Sequence, residues 1–363
     1  MTSIDRYLAE LHTSGVLTDA ALARAFRAVP REIFVAAGFR GPDGGWTTAD
    51  DPGFQDAVYR NAALVTKVHG GEPVSSSSQP SLMAQMLTAL DVAPGHRVLE
   101  IGAGTGYNAA LLAALGADVT TVEVQEDVAA AAGAALARAG VTGARVRRAD
   151  GWDGAPDLAP FDRIIVTVGV AGFSAAWWEQ LTADGVVVAP VAHGGLQPVM
   201  TVRRTPDGPR TRVLCPAGFM TAAGPLFARH PGSHPPPVLP PLPAELPPVP
   251  STVLDLDLRV YHDLWFAAAA QDRRVTSVPA LLADHLGGLA LFEPGSLAIM
   301  LPDGRIRPHG PDGERLASDL AALAAGWQAA GSPPLSAWSV TLAPGGDPAH
   351  PIWLPAGFAV TAG

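Results

Sequence analysis

The sequence predicts an α/β fold: a doubly wound, mostly parallel sheet with an N-terminal helical cap and a C-terminal α+β extension. Three observations carry this. From Pro80 onward, short apolar runs alternate with helical stretches of about ten to fifteen residues, the pattern of a parallel sheet covered on both faces. A glycine-rich turn, Gly102 to Gly106, stands between the first of these runs and the helix after it. Ten of the twenty residues from Pro231 to Pro250 are proline, which lacks an N–H and fixes φ, so this stretch reads as a semi-rigid connector. The expected divisions are 1–79, a helical cap and the segment after it; 80–230, the main domain; 231–250, the linker; and 251–363, the α+β unit.

The elements follow in order. Ile4, Leu8 and Leu11 share one helical face, and Leu22, Phe26 and Val29 share another. Thr18 or Asp19 can cap the second helix. Residues 40–78 carry many Gly, Asp, Ser and Thr and little periodicity, so they read as a long irregular segment. Pro80 to Leu90 has proline at a helix start and apolar residues at helical spacing. Strands are expected at Arg97 to Ile101, Asp118 to Glu123, Ala144 to Arg148, Arg163 to Thr167 and Gly185 to Pro190. Between them lie helices at Tyr107 to Leu115, Glu126 to Arg138 and Ser174 to Leu181. The run Arg163 to Thr167 is nearly all apolar, as suits a strand buried on both faces. Pro198 to Arg204 and Thr211 to Leu214 have strand composition with no helix between them. They predict an antiparallel pair turned at Pro206-Asp207-Gly208. Beyond the linker, Thr252 to Val260 alternates like a strand. Leu297 to Leu301 and Arg305 to Arg307 flank Asp303-Gly304, a hairpin signal, and Glu314 to Ala330 reads as a helix.

Composition narrows the function. The 363 residues carry 24 Lys+Arg against 34 Asp+Glu, a formal net charge of −10. That balance opposes nucleic acid as the main partner, because a phosphate backbone requires clustered cations. No apolar run reaches the roughly 18 residues that span a bilayer. Asp5, Arg6 and Glu10 near the start are foreign to a signal peptide. One cysteine, Cys215, allows neither an intramolecular disulfide nor a cysteine zinc cluster. The expectation is a soluble cytoplasmic protein without membrane partners. The ten histidines show no ligand spacing, so no metal site is expected.

The chemistry concentrates at the ends of the first three strands of the main domain. Glu100-Ile101-Gly102-Ala103-Gly104-Thr105-Gly106 closes a strand and opens a helix, so a ligand can approach bare backbone and free N–H groups. A dinucleotide site prefers glycine three residues after the second glycine, where this chain has Tyr107. Glu100 sits poorly beside a pyrophosphate and well beside an ammonium or sulfonium, the charges of S-adenosylmethionine (SAM). Glu123 ends the second strand, where a carboxylate accepts both ribose hydroxyls. Asp150 follows the third, where one accepts the adenine amino group. Three acids at the carboxyl ends of consecutive strands fit the rule that places ligands there.

These motifs, with Val29-Pro30-Arg31-Glu32-Ile33-Phe34-Val35, Ser75-Ser76-Ser77-Ser78-Gln79-Pro80, Asp150-Gly151 and Phe161 to Thr167, resemble those of the protein-L-isoaspartate O-methyltransferases, over roughly residues 20 to 205. The resemblance implies the class I SAM-dependent methyltransferase fold, which is Rossmann-like. It implies SAM held by Glu100, Gly102, Ala103, Gly104, Thr105, Asn108, Glu123, Asp150 and Gly151, and an acceptor oriented by Ser78. It also implies methyl transfer to an aspartyl or isoaspartyl carboxylate of a peptide, after which methanol loss leaves a succinimide. A carboxylate is already nucleophilic at neutral pH, so no general base is required, and one orienting hydroxyl suffices.

The chain departs from the family pattern at Ala57 to Lys67, and has Ser76-Ser77-Ser78 where the family has Thr-Ile-Ser. With the extension, this resembles long actinobacterial forms that modify ribosomally made precursor peptides. The expected substrate is therefore such a peptide, bound by residues 40–74 and 251–363, with general isoaspartate repair as the alternative. A small-molecule methyltransferase and a non-catalytic SAM-binding module are the competing classes. Among the remaining residues, His193 is read as loop filler or a residue facing the site, and His285 as a helix end. Cys215 is read as a small buried hydrophobe, and Trp177 and Trp178 as one core and one surface residue.

Overall fold

The computed structural model describes residues 2–41, 44–206, 208–227, 258–278 and 288–361. The proline-rich linker, Asp207 of the expected turn, His285 and most of the expected strand from Thr252 lie outside the described residues. Leu258 to Val260, the end of that strand prediction, opens a helix, Leu258–Gln271. The helix buries Leu264, Trp265 and Phe266 completely, and that burial decides its conformation.

Among the described residues, ten strands form one sheet. Its parallel part runs in the spatial order Ala144–Arg148, Asp118–Glu123, Arg97–Ile101, Phe161–Val166, Leu181–Pro190. The order of the second, first and fourth strands places the first, with its glycine-rich turn, at the point where the winding reverses. Val199–Arg203 and Arg210–Cys215 then add antiparallel strands. Helices Tyr107–Ala114 and Glu126–Arg138 cover one side. The caps are local chemistry: Asp19 accepts from Leu22 N at 2.7 Å to start Ala20–Ala28, and Pro80 opens Pro80–Leu90.

Two further expectations need correction. Residues 40–78 are not one irregular segment: Leu64–His69 and Glu72–Ser77 pair as an antiparallel hairpin. Its register shifts twice around Lys67, and such irregularities erase the alternation that marks a strand. Ser75 to Ser77 therefore end a strand, and only Ser78 and Gln79 lie in the turn before the helix.

The second correction concerns the extension. Its hairpin Ser296–Met300 with Ile306–His309 and its helix Gly313–Ala329 form where expected. However, its last two strands, Trp338–Asp347 and His350–Val360, continue the main sheet, pairing on Arg210–Cys215 on one side and on Phe173–Ser174 on the other. A strand edge left open by the first 227 residues is filled by the last 30 or so, which removes unpaired N–H and C=O groups from solvent. The core records this continuity: Leu99 and Trp177 belong to the same apolar cluster as Trp265, Leu316 and Ile352.

Trp177 is buried and Trp178 is half-buried under the Arg204 guanidinium. Cys215 is buried. His193 is buried between the Phe266 and Phe358 rings.

Candidate active site

The carboxyl ends of the parallel strands open into one cavity of about 1260 Å³. This exceeds the roughly 300–1,000 Å³ of an ordinary small-molecule site. Glu100, Gly102, Gly104, Thr105, Glu123 and Asp150 line it, and so do Ala103, Asn108, Gly151 and Ser78. The tertiary structure thus brings to one cleft every residue expected to hold SAM, together with Ser78.

The glycine-rich turn is built for close approach. Gly102 N and Ala103 N both donate to Val122 O, at 2.9 and 3.1 Å, which ties the turn to the neighbouring strand. Thr167 Oγ1 donates to Gly102 O at 2.6 Å. Gly102 has φ of +95°, and a Cβ there would lie 2.9 Å from that hydroxyl. Only glycine satisfies both constraints.

Beneath the turn, Glu100 is fully buried and accepts from Asn108 Nδ2 at 2.7 Å. Its Oε2 makes no hydrogen bond of normal geometry, although the Thr121 hydroxyl close by still favours ionisation. Burial dominates and raises its pKa from 4.5 to about 7, with the Glu123 charge adding to the rise. Glu123 is buried with both oxygens in use: Oε2 accepts from Gly104 N at 3.2 Å and Oε1 from Gln125 N at 3.1 Å. Each oxygen keeps a lone pair for a further donor, as a ribose diol requires. Asp150 Oδ1 accepts from Trp152 N at 2.8 Å, and Gly224 packs close on its Oδ2. The Gly151 carbonyl accepts from Trp177 Nε1 at 2.7 Å.

These residues fit SAM. A buried carboxylate with an unpartnered oxygen suits a cation, a carboxylate held by two backbone donors suits a diol, and a turn without Cβ atoms leaves room between them. Among the described residues, no group of three or more His, Cys, Asp or Glu is placed to hold a metal ion. None of the helices described is long and apolar enough to cross a membrane.

The serine-rich hairpin lies over the cleft, with Ser76 O close enough to meet a Cβ on Gly104 at 3.1 Å. Two side chains fasten it. Lys67 Nζ donates to Gln125 Oε1 at 2.9 Å and pairs with Asp127 at 2.7 Å, and Gln125 Nε2 donates to Val74 O at 2.9 Å. Ser78 follows the hairpin, half-buried at the cleft wall.

Its carbonyl is gripped by Arg31, the residue that sequence reasoning quoted but did not use. Arg31 is fully buried. Its guanidinium donates to the carbonyls of Val58 at 2.8 Å, Arg60 at 3.2 Å, Ala62 at 3.1 Å and Ser78 at 2.9 Å, and also to the Ser77 carbonyl and hydroxyl. These partners lie 27 to 47 residues along the chain. Gln125 was also missed, although its place two residues after Glu123 is the one available signal.

The comparisons with known proteins agree with this geometry. Residues 3–221 match the model of the protein-L-isoaspartate(D-aspartate) O-methyltransferase family. A protein-L-isoaspartate O-methyltransferase of Roseiflexus castenholzii is 36% identical over 208 residues, 57% of this chain and 86% of that protein. One of Gloeobacter violaceus is 34% identical over 229 residues, 62% of this chain and 98% of that protein. A solved structure titled protein-L-isoaspartate O-methyltransferase covers 99% of this chain and 100% of its own, with 25% identity and a TM-score of 0.57. The chain belongs to the protein-L-isoaspartate(D-aspartate) O-methyltransferase family and is an S-adenosylmethionine-dependent O-methyltransferase.

Proposed function

We propose that the chain methylates the free carboxylate of isoaspartyl residues in protein, the first step of isoaspartate repair. The observation that carries this reading is the single cleft in which Ser78 and the SAM-side acids Glu100, Glu123 and Asp150 meet. Repair is favoured over a dedicated precursor peptide because the extension is no mark of a specialised enzyme. The solved relative that spans 99% of the chain, extension included, carries the general protein-L-isoaspartate name.

Bound SAM supplies an electrophilic methyl group on a sulfonium. The protein's work is placement. Glu123 and Asp150 hold the nucleoside end, and the Glu100 charge favours the cationic end. The Ser78 hydroxyl donates to one oxygen of the acceptor carboxylate and leaves the other to attack in line. Transfer of the methyl group that SAM would supply to that oxygen would give a methyl ester, with S-adenosylhomocysteine as the leaving product. The carboxylate carries no proton at neutral pH, so none must be removed.

Ser78→Ala is expected to lower kcat by about 10²-fold, the scale of a misplaced reactant, while SAM affinity stays within twofold. Calorimetry for SAM and single-turnover methylation separate the two effects, and an undiminished kcat would remove Ser78 from the mechanism. The function itself is tested by mass spectrometry of matched isoaspartyl and aspartyl peptides. Gain of a methyl group by the isoaspartyl peptide alone supports repair. Inactivity on both with SAM bound would overturn it in favour of a dedicated peptide.

A further inference from the structure

We infer that the C-terminal hairpin is a positioning element for the adenine end of the cofactor site, and that it acts through Trp152. The inference rests on the reading of Asp150 as the acceptor for the adenine amino group. Trp152 links the two. Its backbone N–H donates to Asp150 Oδ1 at 2.8 Å and so fixes that carboxylate's orientation. Its indole reaches the hairpin tip. Trp152 Nε1 donates to Pro351 O at 3.2 Å, across 199 residues of chain. The His350 ring stands edge-on to the indole, with centroids 4.9 Å apart at an interplanar angle of 84°.

A second route joins the same two places. Trp152 O accepts from Ser174 Oγ at 2.8 Å, and Ser174 pairs in the sheet with Ile352 of the hairpin. Backbone approach along this route is tight: a Cβ on Gly172 would lie 2.4 Å from Trp353 O. The carboxylate that faces the adenine is thus held by a tryptophan whose backbone and side chain are both anchored, directly or through Ser174, by the last strand of the chain. A loop held in its binding conformation before the ligand arrives spends less free energy on ordering. The extension therefore tunes cofactor affinity.

The test uses the full-length protein and S-adenosylhomocysteine as the calorimetric probe. Trp152→Phe removes the bond to Pro351 and keeps the ring. It is expected to raise Kd about fivefold, the effect of one lost hydrogen bond. Trp152→Ala also removes the ring contact and is expected to raise it about tenfold or more. His350→Ala is expected to raise it about threefold through the same contact. In steady state, KM for SAM rises by more than kcat falls, and KM for an isoaspartyl peptide moves less than twofold. A lowered melting temperature with unaltered Kd in all three variants would make the contact merely structural and overturn the inference. So would a raised peptide KM at unaltered cofactor Kd. Asp150→Ala serves as the control. If it weakens binding while the Trp152 variants do not, only this inference falls. If it leaves Kd unchanged, the adenine reading itself falls.

Discussion

Arg31→Met is expected to lose at least about 3 kcal/mol of folding stability, and the folded fraction is expected to bind SAM normally yet turn over slowly. Methionine roughly fills the apolar length of the arginine but donates nothing. The carbonyl of Val58 then lacks its donor in the interior, and those of Ala62 and Ser78 lack theirs in half-buried positions; each buried polar group left unsatisfied costs about 1–3 kcal/mol. The wild-type cation tolerates its burial, which pulls its pKa down, because arginine stays charged at any working pH. Carbonyl dipoles converge on it, and the Tyr107 ring lies 5.9 Å away. The activity loss has a separate cause. Arg31 fixes the backbone of Ser78 and of the 58–62 turn, so the Ser78 hydroxyl loses its placement while the strand-end acids keep theirs. Urea denaturation with calorimetry for SAM and a kcat measurement check all three parts. A stability change under 1 kcal/mol would show that the carbonyls find other donors.

The second large effect is on pH. SAM affinity is expected to climb about tenfold per pH unit from roughly pH 5.5 to 7 and then level off, and Glu100→Gln is expected to flatten the curve. Burial holds the Glu100 pKa up at about 7 against an ordinary 4.5. In the free protein below pH 7 the carboxyl is protonated. A bound cation favours the ionised form and draws the pKa down, so binding releases a proton and strengthens as pH rises. The stability linkage has the opposite sense. Below about pH 4.5 the group is protonated folded and unfolded alike. Between 4.5 and 7 the unfolded chain ionises it and the folded chain does not, so stability falls as pH rises. Above 7 the cost is constant, on the order of 3 kcal/mol for a shift of this size. Isothermal calorimetry in buffers of different ionisation enthalpy counts the proton directly. A count of zero at pH 6 would place the cation away from Glu100.

Much of the cofactor side was legible in the sequence because its code is local. A strand, a glycine turn and a helix follow one another between Arg97 and Ala114. Glu100, Glu123 and Asp150 are each carried to the cleft by the strand they end or follow. Parallel strands deliver their carboxyl ends to one edge of the sheet, so reading each strand separately was enough to bring these acids together. The helix start at Pro80 was equally plain, and the other was narrowed to Thr18 or Asp19, of which the structure uses Asp19, since a cap is a matter of one or two residues.

The acceptor side and the extension were decided by contacts far apart in the chain. The serine-rich hairpin carries two register shifts that break its alternation, and Lys67 and Gln125 fasten it from 58 residues apart. Arg31 sits in a recognisable motif, but its role depends on carbonyls that only folding brings to it. The last two strands, Trp338–Asp347 and His350–Val360, were not read from the sequence at all, and their place in the main sheet depends on an open strand edge that no sequence pattern records. Side-chain periodicity reports which face of an element is buried. It does not report which backbone groups of a distant segment will complete an edge or surround a buried charge, because every residue carries the same backbone donor and acceptor.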